Sequence, residues 1–317
     1  MKFFDNGKNP KWKYYLKNYF YLALPNFLKK IKYKLILKNV ENREDYKDIL
    51  DRVNYYNKLD KKVTLNNSTS IENFSLGDIE QKVYFFDTYK HLHFFNSKLR
   101  FSHKFGDITS VPCEPSILKS RPIGSNNQNS VLLKLNKVRH FVKVNDKLNF
   151  RDKKNQLVFR GKVTFKEQRR NFFKMYFDHP MCDLGDTQTK NINPDEWKVK
   201  KTSIYYLLNY KFILALEGID VASNLKWVMS SNSIAVMPQP TFETWFMEGR
   251  LIPNVHYIEI KSDFSDLEER LNYYINHPEE AEKISKNAND YIKKFWDHEK
   301  EDIISLLVLK KYFKLTN

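Results

Sequence analysis

Along the first 65 residues apolar positions recur at three- and four-residue spacing, most clearly in ENREDYKDILDRVNYYNKL, and that spacing predicts helices. From Ser75 to Phe105 the runs are shorter, KVYFFDTY and then HLHFFNSKLRFSHKF. Read as alternation they predict strands, with His91 and His93 on one face. Residues 108–123, with three prolines in ITSVPCEPSILKSRPI, predict loop, and NSVLLKLNKVRHFVKV predicts a packed element. The charged, turn-forming stretch 144–156 separates an expected N-terminal domain, residues 1–148, from an expected C-terminal one, residues 149–317.

The second half alternates between the two periods. LVFRG predicts a strand and turn, TFKEQRRNFFKMYF a helix, YKFILALEG a strand buried on both faces, and VASNLKWVMSS a short helix. SIAVMP and VHYIEIK predict further strands. SDLEERLNYYIN opens with Ser265 and Glu268 in a capping-box pattern. HPEEAEKISKNANDYIKKFW places Pro278 at a helix start and apolar residues at 281, 284, 288, 292 and 295. Such alternation predicts an α/β fold, a Rossmann-like layer of parallel strands flanked by helices, with the last helix a candidate to cross back to the first domain.

Composition narrows this picture. At 317 residues and 41% hydrophobic the chain can bury two cores, which argues against disorder. The net charge of +16 suits nucleic acid, an anionic membrane face or a polyanionic substrate. NPKWKYYLKNYF and LKKIKYKLILK interleave lysine with aromatic and apolar residues, the pattern of a basic amphipathic helix lying on a bilayer. Without an RRM-like aromatic strand pattern or zinc-finger spacing, nucleic acid is not an expected partner. The two cysteines imply no disulfide framework. MKFFDNGKNPKWK lacks the continuous apolar core of a signal peptide, and stretches such as YFYLALP are too short to span a membrane. A cytoplasmic protein, peripheral to a membrane, is expected. His91, His93 and His103 have no carboxylate at ligand-like spacing, and no Asp-x-Asp motif occurs, so no metal site is expected.

Three stretches carry candidate chemistry. Arg160, Gly161 and Lys162 end a strand, with Arg169 and Arg170 following at helical distance, and such cations can surround a diphosphate. The P-loop pattern is absent. In LALEGIDVASNLKW a strand meets a glycine turn and a helix start, where open α/β sheets bind ligands, but without the glycine pattern of a dinucleotide fold. In FGDIT, Asp107 is a carboxylate placed in a turn after a strand, able to accept a proton from a hydroxyl nucleophile.

The order FGDITSVPxxPxxxKSRPI, VFRG, YKFILALEGxDVASNLKW, VHYIEIKSDFSDLEERL resembles glycosyltransferase family 90 over roughly residues 75–300. That family includes bacterial lipopolysaccharide-type sugar transferases, capsule xylosyltransferases and protein O-glucosyltransferases. The resemblance implies a GT-B architecture, two Rossmann-like domains facing a cleft, and inverting transfer of a sugar, a hexose, from a UDP-sugar without a metal cofactor. It implies Asp107 as general base. It places Arg160, Gly161, Lys162, Thr164, Arg169 or Arg170, Glu217, Gly218, Ser223, Asn224 and Lys226 at the nucleotide-sugar, and Lys119, Ser120 and Arg121 on the acceptor side. The chain departs from the animal enzymes at Asn224, where they carry an arginine, so the diphosphate charge must be met by Lys226, a helix N-terminus or another arginine. Glu243 and Trp245 are further candidates to face the sugar. The implied acceptor is an anionic glycolipid, a lipopolysaccharide or related surface glycan, at the cytoplasmic face of the inner membrane. The alternatives are a non-catalytic glycan-binding or scaffold protein of this fold and an enzyme using another nucleotide-sugar.

Overall fold

The computed structural model describes residues 6–163, 167–189 and 193–317. In chain order the first part forms α1 (Lys11–Ala23), α2 (Asn26–Leu37), α3 (Tyr46–Tyr56), β1 (Thr69–Ser70), α4 (Lys82–Leu92), β2 (Arg100–His103), β3 (Ser116–Leu118), β4 (Ser120–Pro122), β5 (Ser130–Leu132) and the single turn α5 (Lys137–His140). There follow β6 (Lys154–Gly161), α6 (Glu167–Tyr176), β7 (Cys182–Asp186), α7 (Ile204–Leu207), β8 (Tyr210–Leu214), α8 (Leu225–Val228), β9 (Ile234–Met237) and β10 (Phe242–Thr244). The chain ends with β11 (Ile258–Glu259), α9 (Leu267–Asn276), α10 (Pro278–Lys293) and α11 (His298–Thr316).

Two units emerge, and neither is one continuous segment. Among the described residues the first takes 10–138, 242–247 and 295–317; the second takes 6–9 and those within 139–241 and 248–294. The first unit holds a four-stranded sheet, β1-β2-β3-β5, parallel except for β1, and an antiparallel pair of β4 with β10. Both β3 and β4 come from the proline-rich stretch read as loop. In the same unit α11 packs against α3 and α4. The second unit is the expected α/β layer: a five-stranded sheet in the order β11-β9-β8-β6-β7, every neighbouring pair parallel. β8 and β9 are buried at every position, as a strand covered on both faces requires. On α10, Ala281, Ile284, Ala288 and Ile292 form its buried stripe, and Pro278 sits at its start.

Two local expectations are corrected. KVYFFDTY does not form a strand but α4, and His91 and His93 lie at that helix's end rather than on a strand face. The reason is burial: every residue from Val83 to Thr88 is enclosed, so no polar face marks a 3.6-residue period. The capping box is also unmade. Ser265 Oγ donates to Asp263 Oδ1 (2.9 Å), and Asp266 takes the N-cap position.

His91 has a structural role. Its Nε2 lies 3.0 Å from Asp302 Oδ1 on α11, and Lys90 also pairs with Asp302. Burial, with Lys137 and Lys90 nearby, holds the imidazole below its ordinary pKa, against the opposing pull of Asp302. The folded state therefore keeps His91 neutral where the unfolded chain takes up a proton. Stability is expected to fall with pH below about 6.5, at up to about 1.4 kcal/mol per pH unit from this group. His91→Gln, which cannot be protonated, should flatten that segment of a denaturation-versus-pH curve; parallel curves for the two proteins would refute the assignment.

Candidate active site

The second unit brings two of the sequence motifs together. Numbered within its sheet, the strands run 2-1-3-4-5, with β6 first and β8 third. The chain leaves β6 toward the β7 edge and then returns past β6 to β8. The connections after β6 and β8 thus depart in opposite senses, opening a crevice at their carboxyl ends, where such sheets bind ligands. Arg160 and Gly161 end β6 and Lys162 follows it; Glu217 and Gly218 follow β8.

Arg169 on α6 spans this crevice. Its Nη1 donates to Lys162 O (2.8 Å) and its Nη2 to Leu216 O (2.7 Å), so one guanidinium ties both connections together. Its Nε is buried and has no acceptor among the described residues. Both bonded partners are neutral carbonyls. Burial, then repulsion from Arg139, pushes the guanidinium pKa down to about 10, while Asp186 pulls the other way. Arg139 is exposed and, like Arg170, has no hydrogen-bond or ion-pair partner among the described residues; the Nε of Arg170 is buried. A half-buried cation beside a second cation, with no carboxylate in contact, is a site that an anion would stabilise.

The surrounding loops are pinned. Asp186, at the end of β7, accepts from Val163 N (3.1 Å), Gln188 N (2.9 Å) and Asn193 Nδ2 (2.8 Å). Asn224 Nδ2 donates to Leu214 O (2.9 Å), closing the turn after β8. Glu217 accepts from Thr241 N (3.0 Å) and from its hydroxyl (2.5 Å). A Cβ on Gly218 would lie 3.4 Å from Arg169 Nη2, so the missing side chain leaves the guanidinium room. Ser223 is half-buried on the same connection, and Lys162 is exposed. Thr164 lies outside the described residues.

Two expected diphosphate cations are engaged elsewhere. Arg160 turns toward β7, donating from Nη1 to Asp183 O (2.7 Å) and pairing through Nη2 with the Asp183 carboxylate. Burial would raise the Asp183 carboxyl, but hydrogen bonds from Tyr210 and Arg160 outweigh it and hold it below the usual range. Lys226 is fully buried against Glu248 (Nζ–Oε1 2.7 Å). Arg139, which no sequence motif marks, is a further cation near Arg169, close enough to repel it. It stands before β6, far in sequence from Arg169, on a single helical turn with no recognisable pattern.

In the first unit Asp107 follows β2 in a turn whose Gly106 has φ of +115°, a conformation that favours glycine. The carboxylate is about a third exposed and ion-paired with Lys119, which is buried. Ser120 and Arg121 are fully buried on β4, and Arg121 donates to Glu243 Oε1 (2.7 Å), Ser130 O (2.9 Å) and Tyr55 O (2.7 Å). Glu243 and Trp245 are core residues as well, the Trp245 Nε1 donating to Glu301 Oε2 (2.6 Å), which corrects the expectation that they face a sugar.

The sequence profile of glycosyl transferase family 90 matches residues 130–317. The O-glucosyltransferase LpsA of Dichelobacter nodosus is 43% identical over 267 residues, covering 84% of this chain and 83% of that protein. The chain belongs to glycosyltransferase family 90. It is a glycosyltransferase, as the four ordered motifs led one to expect. Shorter likenesses run to animal members: protein O-glucosyltransferase 2 of Danio rerio, 32% identical over 95 residues (30% of this chain, 19% of that protein), and protein O-glucosyltransferase 3 of Homo sapiens, 27% identical over 142 residues (43% and 27%). The family 90 profile takes in Arg139, Arg169 and both crevice loops, whereas Asp107 precedes the matched stretch. Among the described residues no group of three or more His, Cys, Asp or Glu side chains is placed to hold a metal, and no helix is long and apolar enough to cross a membrane.

Proposed function

We propose that this family 90 member is an inverting, UDP-sugar-dependent hexosyltransferase of the GT-B type, adding a hexose to a hydroxyl of a lipopolysaccharide or related surface glycan at the inner membrane. One observation carries the donor assignment: the crevice at the carboxyl ends of β6 and β8 holds Arg169, uncompensated by any contacting carboxylate, with Arg139 beside it. A nucleoside diphosphate supplies the missing negative charge. Gly218, Ser223 and Asn224 would border the nucleotide, and Arg170 and Lys162 would add charge at its edge. Glucose is the favoured sugar, because the relative from Dichelobacter nodosus is named an O-glucosyltransferase.

In this reading Asp107, carried by the first unit, takes the proton of the acceptor hydroxyl as its oxygen bonds to the anomeric carbon. The bond from that carbon to the β-phosphate oxygen breaks, and its electron pair leaves on UDP. Arg169 and Arg139 stabilise the charge that develops there, the task a metal performs in other transferases. Lys119, paired with Asp107, fixes the carboxylate in place.

The test is thermal shift of the purified protein with UDP, GDP, CMP and UDP-sugars. UDP should raise the melting temperature, since a ligand bound only by the folded state stabilises it. Arg139→Ala removes an exposed, unpaired side chain, so it should leave the ligand-free melting temperature unchanged and weaken UDP about tenfold or more. Turnover should persist in a chelator. A shift with GDP or CMP alone would reassign the donor, and no shift with any nucleotide would refute the reading.

A further inference from the structure

Three large apolar side chains on α1 and three on α2 are at least half exposed to water. Trp12, Leu16 and Phe20 recur every fourth residue on α1, and Phe27, Ile31 and Leu35 do the same on α2; all six are between 50% and 69% exposed. Four-residue spacing keeps each trio within one face of its helix. The other face of α1 is held to its own unit: Tyr14 Oη donates to Asp87 Oδ1 (2.8 Å), and the ring of Tyr15 packs edge-on against Phe86. On α2 it is Lys29 that turns inward, donating to Leu22 O (3.1 Å). The helices are thus anchored, and their apolar ridges are left uncovered.

Ridges of this size on a folded protein mark a surface that something else covers. The charge around them indicates what. Residues 11–38 contain eight lysines and neither aspartate nor glutamate, and Lys13, Lys17, Lys30 and Lys34 are exposed. Apolar ridges with a tryptophan and flanking lysines, free of acidic residues, complement a bilayer with anionic headgroups. Span is the other constraint. Helices of 13 and 12 residues extend about 18–20 Å, short of the roughly 30 Å hydrocarbon core, so they fit a position in the plane of the interface.

We infer that α1 and α2 form an interfacial docking element that inserts these six side chains into an anionic lipid surface. The inference deepens the membrane-side reading above and rests on it for its purpose, which is to hold the enzyme where a lipid-linked acceptor is concentrated. Lipid binding is measured without donor or acceptor, so its failure is distinguishable from failure of the transferase assignment.

The experiment is flotation of the full chain with vesicles rich in phosphatidylglycerol, compared with vesicles of phosphatidylcholine alone, at low and high salt. The protein should float with the anionic vesicles, less so in high salt. Leu16→Ser, Phe20→Ser, Ile31→Ser and Leu35→Ser together should lower partitioning about tenfold or more, with melting temperature and the UDP response retained. Lys13→Gln, Lys17→Gln, Lys30→Gln and Lys34→Gln together should abolish the preference for anionic vesicles. Failure of the unaltered protein to float would overturn the inference. So would a dimer in light scattering that the serine variant converts to monomer while neither binds vesicles, because the ridges would then be a contact between copies.

Discussion

Asp107→Asn is expected to lower kcat about a thousandfold, within the usual range for loss of a general base, while the thermal shift with UDP persists. The amide keeps the size of the carboxylate but cannot take the proton of the acceptor hydroxyl. Two readouts are needed because Asp107 is ion-paired with buried Lys119, and the substitution leaves that ammonium without its carboxylate. A variant that merely loosened the first unit would lower its melting temperature in proportion. A variant that lost the base would lose far more kcat than any fall in melting temperature accounts for and would keep its response to UDP, since the crevice residues belong to the second unit. A folded variant within about threefold of the original kcat would remove Asp107 from the mechanism, because general-base contributions are typically a hundredfold or more.

The largest loss of stability is expected at Glu301. Its carboxylate is buried on α11 and receives Arg52 Nη2 at 2.6 Å, Lys134 Nζ at 2.7 Å and Trp245 Nε1 at 2.6 Å. Arg52 also lies over the rings of Phe295 and Tyr56, and Tyr56 stacks on Trp245 with centroids 3.8 Å apart. Glu301→Ala strands two cations in this apolar enclosure, and removing one partner of a buried ionic group costs about 3–5 kcal/mol. A fall in melting temperature of about 10 °C is expected for a chain of this size. Replacing all three charges together, Arg52→Met, Lys134→Met and Glu301→Leu, should recover much of the loss, since a buried ionic cluster contributes little net stability over well-packed apolar groups. A shift of only a degree or two in Glu301→Ala would mean that water reaches the cluster.

What could be read from the chain, and what could not, follows from where the information resides. The strands of the second unit announced themselves because a parallel strand covered on both faces is continuously apolar, as YKFIL and IAVM are. α4 was misread for the same reason: a segment enclosed all round has no polar face to reveal its period. At the site, the ends of β6 and β8 were legible as strand-to-turn transitions, but their adjacency depends on strand order, which no local pattern encodes. Arg169 and Arg170 were equivalent by spacing; only the fold shows that Arg169 bridges Lys162 and Leu216. Arg160 carried the motif yet is balanced by Asp183, a partner on a neighbouring strand whose carboxylate had no sequence signature. Arg139 had none either.

The discontinuous make-up of the first unit bears on how the protein is made. Asn57 Nδ2 donates to Val308 O across 251 residues of chain, and Arg52 finds its carboxylate on the same returning helix. At about 5–20 residues per second, α3 waits tens of seconds on the ribosome before α11 exists to neutralise it. The segment translated early is therefore completed late, after the parallel-sheet unit has emerged. During synthesis the early helices hold an uncovered apolar and cationic face, the kind of exposed surface that makes an incomplete chain prone to aggregate. It also makes a premature stop before His298 damaging to the unit that was translated first.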